Sequence, residues 1–183
     1  METQVRTVEK KGLNALDVAL VPVLLAVGAV LRMFVPPFFG ITPNLVIGMY
    51  CLAILLIRPK FLSIIGIGLV AAAICQLTTK SLFPYLNFIS EPIGALVVGL
   101  LSLINFEVGF LKYIRPLLIT FLGTVASGLS YVSIFKVIAL LGTVPKNPAF
   151  SALLYVVFVT ATVNCVVATI LYFPLKAALS KTR

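Results

Sequence analysis

Long apolar runs separated by short polar breaks dominate the chain. A helix that crosses a bilayer needs about 20 mostly apolar residues. The runs predict six transmembrane segments, over residues 14–34, 43–57, 61–79, 92–106, 116–141 and 149–173. Prolines and glycines punctuate them. Pro36, Pro37 and Gly40 end the first run, Arg58-Pro59-Lys60 turns the chain between the second and third, and Pro174 closes the sixth. Pro22 predicts a kink inside the first span, a feature that neighbouring helices tolerate in lipid. The second run is short for a full crossing and reads as a tilted or re-entrant segment. The most polar interruption is KSLFPYLNFISEP, residues 80–92, between spans three and four. With no α/β alternation and no heptad, the pattern predicts an all-α membrane protein, a compact six-helix bundle forming one domain over residues 1–183.

Composition sharpens this picture. Hydrophobic side chains make up 61% of the 183 residues and charged ones 10%, against roughly 25% charged in soluble domains. The net charge of +9 raises nucleic acid as a partner. The Lys and Arg are scattered between apolar runs, though, with no basic stripe interleaved with aromatics, so they read as topogenic charge. With the N-terminus inside, the inner segments carry Arg6, Lys10, Lys11, Arg58, Lys60, Lys112, Arg115, Lys176, Lys181 and Arg183, ten of the 14 basic residues. Cytoplasmic loops are enriched in Lys and Arg, so both termini are expected in the cytoplasm of a multi-pass plasma-membrane protein. The first run is long, contains Asp17 and lacks a small-x-small cleavage site, so it reads as a retained span and not a signal peptide. Cys51, Cys75 and Cys165 sit in apolar runs without CxxC spacing, as small buried hydrophobes.

The remaining charges carry the candidate chemistry. Arg32, Lys80 and Glu91 fall at or near the outer ends of spans, where charge in lipid marks either a snorkelling side chain or a functional site. Lys136 lies deeper, in the outer half of span five, which favours a functional or ion-paired role. Uncharged polar groups join them. Asn44 opens span two, Thr79 closes span three and Asn87 lies in the polar interruption. Thr124, Ser127, Gly128 and Tyr131 share one face of span five by their 3–4 spacing, and Thr160 and Asn164 share a face of span six. Phe34, Phe38, Phe39, Phe83, Tyr85 and Phe88 cluster at the outer end, as an interfacial belt or as the wall of a site. Together these groups predict an outward-facing pocket with cations for a carboxylate, a carboxylate for an amine and aromatic faces for a ring. An aromatic amino acid fits that inventory, and so do several vitamins. The chain has no His, no close carboxylate pair, no GxSxG and no Walker A loop, which leaves an enzyme reading without catalytic groups. No cofactor or metal site is expected. A solute-binding subunit energised by partners suits the thin set of acidic residues better than a self-sufficient transporter.

The segment AVGAVLRMFVPPFFG (residues 26–40), then Pro43-Asn44, Thr78-Thr79 and NFISEP (residues 87–92), with Gly123-Thr124 and Ser127-Gly128 later, resembles the bacterial tryptophan transport protein family. The family pattern carries an acidic residue in place of Asn44, and Asp-Lys-Pro in place of Ser90-Glu91-Pro92. The family is similar to the substrate-binding (S) components of energy-coupling-factor transporters. That likeness implies six helices and a site near the outer face. It also implies docking, through small first-helix residues such as Ala15 and Ala19, on a membrane subunit with two ATPases. The resemblance implies a tryptophan site in which Glu91 binds the amine. Lys80, Lys136 or Arg32 binds the carboxylate, and aromatics around Phe38 and Tyr85 hold the indole. Asn44, Thr79, Asn87, Tyr131 and Asn164 complete the candidate set. An S component for a vitamin and a non-transport membrane scaffold are the rival readings.

Overall fold

A computed structural model describes residues 15–37, 40–79, 83–104, 109–142 and 147–182 of the chain. These residues form six α-helices and no strand: α1 (Ala15–Phe34), α2 (Leu45–Ile57), α3 (Phe61–Thr78), α4 (Asn87–Ser102), α5 (Leu111–Leu140) and α6 (Phe150–Thr182). Five of them are long and apolar enough to cross a membrane, and α2 is the shorter exception.

Burial explains the short helix. Every residue of α2 from Leu45 to Leu56 is buried, and α2 touches each of the other α-helices. A helix apolar on all sides belongs in the middle of a bundle. Its 13 residues span roughly 20 Å at 1.5 Å per residue, less than the ~30 Å hydrocarbon core. The tilted or re-entrant segment expected from sequence is therefore a central helix ringed by the longer ones. It ends at Arg58, which adopts a left-handed conformation (φ 50°) and donates its backbone N–H to Ile54 O.

Prolines proved weaker stops than the sequence reading assumed. The fourth helix starts at Asn87, not at Pro92, and runs through that proline. A 3₁₀ turn over Pro84–Leu86 leads into it, and Asn87 Nδ2 donates to Pro84 O at 2.7 Å, joining turn to helix. Likewise α5 begins ahead of Pro116, and α6 continues past Pro174. One missing N–H costs little where neighbouring helices hold the backbone in place. The extension of α4 puts Glu91 in the second helical turn, aimed at α2 and α5.

Close helix approach relies on two glycines near the site. A Cβ on Gly28 would lie 2.9 Å from Val46 Cα, so α1 rests directly on the α2 backbone there. A Cβ on Gly94 would collide with the Tyr50 hydroxyl and lie 2.7 Å from Ser127 Cβ. Small residues of this kind let helices meet in lipid, where packing rather than water exclusion drives association.

Candidate functional site

The last turn of α1, the start of α2, the end of α3, the first turns of α4, the second half of α5 and the start of α6 surround one cavity of about 850 Å³. Because alternate helix ends meet there, successive helices run in opposite directions. Ligand sites typically occupy ~300–1,000 Å³. Arg32 and Glu91 are the charged residues of the lining.

Asn44, just ahead of α2, joins those two charges. Arg32 Nη1 donates to Asn44 Oδ1 at 2.8 Å, and Asn44 Nδ2 donates to Glu91 Oε1 at 3.0 Å. The other Glu91 oxygen accepts from the Tyr50 hydroxyl at 3.1 Å and the Ser127 hydroxyl at 3.0 Å. Glu91 is only 1% exposed, so this ring of donors from α5, α2 and the residue that precedes α2 satisfies a charge that burial alone would make costly. Cys75 sits beside the junction, its sulfur 3.2 Å from Asn44 Nδ2. Beneath it, Asn164 is fully buried and donates from Nδ2 to the Asn44 backbone carbonyl at 3.0 Å, with a longer contact to Thr124 Oγ1 at 3.4 Å. Asn164 thus sets the position of the residue that links the two charges, and it does not line the cavity.

Of the other sequence candidates, Asn87, Thr79 and Tyr131 line the cavity. The Tyr131 hydroxyl also donates to Phe83 O at 3.1 Å, tying α5 to the segment that leads into α4. Two candidates lie elsewhere. Lys136 donates from Nζ to Asn147 Oδ1 at 2.6 Å and to the Pro148 carbonyl, so it fastens the α5–α6 connection and is not part of the lining. Tyr85, in the 3₁₀ turn, is 70% exposed and faces away from the cavity wall. Lys80 and Phe38 fall outside the described residues. Ser90, within the NFISEP segment, also lines the cavity, and Tyr50 joins the site without having been anticipated. The signal for Tyr50 was a lone hydroxyl inside an otherwise apolar run. The apolar wall comes from Met33, Phe34, Ile47, Leu153, Val156 and Val157. Among the described residues no cluster of His, Cys, Asp or Glu could hold a metal ion.

The tryptophan transporter family TrpP matches residues 14–180. The chain belongs to this family. Since it is a transporter family, this is a transport protein and not an enzyme, and its long apolar helices make it a multi-pass protein of the bacterial membrane. A probable tryptophan transport protein of Bacillus subtilis (strain 168) is 28% identical over 163 residues, covering 87% of this chain and 89% of that relative. No solved structure matches the chain. TrpP membership accounts for the apolar architecture, and in a transporter family the charged junction is a candidate for handling a small polar solute.

Proposed function

We propose that the protein takes up tryptophan, binding it as a zwitterion in the 850 Å³ cavity and delivering it to the cytoplasm. The observation that carries this reading is the Arg32–Asn44–Glu91 chain. The Asn44 side chain offers a carbonyl oxygen to the cation and an N–H to the anion, the same pairing that an amino acid's carboxylate and ammonium would make. Asn44 thus bridges the two groups that the ends of the ligand would take. The ligand's carboxylate takes Arg32, whose planar fork suits bidentate pairing, and its ammonium takes Glu91 Oε1. The indole lies against Met33, Phe34, Leu153, Val156 and Val157, with Tyr131, Asn87 and Thr79 on the polar side.

Two further features support uptake from outside. Ten of the 14 basic residues fall on one side of a six-span topology, a bias that supports cytoplasmic termini and a cavity at the outer face. Ala15 and Ala19 are exposed, four residues apart on α1, where an energising membrane subunit with two ATPases would dock in an S-component arrangement. Two experiments test the reading. The chain has no Trp, so the ligand's own fluorescence reports binding to the purified protein. Saturable binding is expected, and its absence up to high micromolar tryptophan rejects the site. Uptake of labelled tryptophan by a transport-deficient host, with and without an added energising module, tests the S-component role.

A further inference from the structure

A second cleft lies at the opposite end of the bundle. It holds about 300 Å³ between the first turns of α5 and the last turns of α6. Lys112 on its rim is 12 residues before Thr124 of the large cavity, roughly 18 Å along the helix at 1.5 Å per residue. Three cations line this small space: Lys112, Arg115 and Lys176, with Ser180 beside them. Among the described residues, no acidic one is part of the lining. The charges differ in how firmly they are held. Arg115 is buried, and its Nη2 donates to Ser102 O at 2.7 Å. Lys112 and Lys176 are exposed, and Lys176 Nζ lies 5.5 Å from the centre of the Tyr172 ring. The wall between them is aromatic, with the Tyr113 and Phe173 rings 5.9 Å apart.

A fixed guanidinium, two exposed ammonium groups and an aromatic wall at a helix end suit a ligand that is anionic at one end and apolar next to it. The extension of α6 past Pro174 creates the arrangement, because it sets Lys176 and Ser180 about one and two helical turns beyond Tyr172. We propose that this cleft binds the phosphate of an anionic phospholipid headgroup, with the glycerol and upper acyl chains against Tyr113 and Phe173. Basic pockets between helices at a membrane surface are suited to such headgroups. The site is separate from the tryptophan cavity and independent of how that cavity is read.

Native mass spectrometry of the full-length protein, released from nanodiscs of mixed phosphatidylglycerol and phosphatidylcholine, tests the proposal. Retention of phosphatidylglycerol over phosphatidylcholine is expected. Each lysine replaced by glutamine should lower it by about fivefold, and the Lys112→Gln/Lys176→Gln pair by about 25-fold. The thermal midpoint for labelling of the buried cysteines reports whether the same variants are folded, whatever the large cavity binds. Inorganic phosphate at millimolar concentration separates the two sources of the anion. Failure to displace the lipid supports a headgroup site, and displacement as effective as that by added phosphatidylglycerol overturns it. Equal retention of the two lipids, or a folded double variant that retains phosphatidylglycerol like the parent, also overturns it.

Discussion

At the scale of single residues, the site depends on a neutral amide between two opposite charges. Replacing Arg32 with Gln removes the cation while keeping an N–H near Asn44 Oδ1. A hydrogen bond to a charged group contributes about 1.5–3 kcal/mol, so tryptophan affinity is expected to fall about 10- to 150-fold, measured by fluorescence titration. Asn44→Ala acts differently. It takes a donor from buried Glu91 Oε1, and an unmet buried group costs about 1–3 kcal/mol. The empty protein should therefore melt at a lower temperature. Tryptophan, which replaces both lost bonds, should raise the melting temperature of Asn44→Ala by more than it raises that of the parent. An equal or smaller rise would show that Asn44 itself contacts the ligand and that tryptophan does not take over its bonds to Arg32 and Glu91. Charge at span ends made Arg32 and Glu91 legible in the sequence. Tyr50 was hidden because its partner Glu91 is 41 residues away and nothing local announces the pairing. Lys136 misled for the opposite reason. Its polar partners, Asn147 and the Pro148 carbonyl, lie just across the next turn, and they satisfy a charge that its depth in the run made look functional.

Between helices, backbone approach decides the geometry. Gly94 lets α4 press against Tyr50 and Ser127, the two hydroxyls that hold Glu91 Oε2. Overpacking a tight contact typically costs about 1–3 kcal/mol. Gly94→Ala is therefore expected to lower both thermal stability and tryptophan affinity, because the residue it displaces is part of the carboxylate's donor ring. Gly66→Ala on α3 is the matched control, since a Cβ there meets nothing within 4 Å, and both properties should stay at the parent value. Apolar run lengths located all six helices, and Arg58-Pro59-Lys60 marked the α2–α3 turn as expected. The start of α4 and the end of α6 were misplaced because proline was read as it behaves in water. In a packed membrane bundle the helix carries on through Pro92 and Pro174, and both continuations matter. One orients Glu91 and the other builds the basic cleft.

Over the whole molecule, the cysteines supply a direct measure of folding. Cys51, Cys75 and Cys165 are all free and buried. A thiol-reactive fluorophore should label the native protein in detergent slowly and the unfolded protein fast, so a thermal ramp gives a single rise whose midpoint moves upward with added tryptophan. Rapid labelling at low temperature would contradict the packing of α2, α3 and α6. A reporter fused to the C-terminus tests the orientation, with cytoplasmic activity expected. The central helix has a consequence for biogenesis. As a buried 13-residue segment, α2 is a weak signal to an insertion machinery that reads length and hydrophobicity one segment at a time, yet it reverses the chain between α1 and α3. If it failed to insert, every later helix would enter in the reverse direction and carry Lys112, Arg115 and Lys176 to the opposite side. Insertion of α2 therefore depends on its entering the bilayer as a hairpin with α3, a largely apolar helix of 18 residues that, with the basic turn at Arg58-Pro59-Lys60, supplies the signal α2 lacks alone.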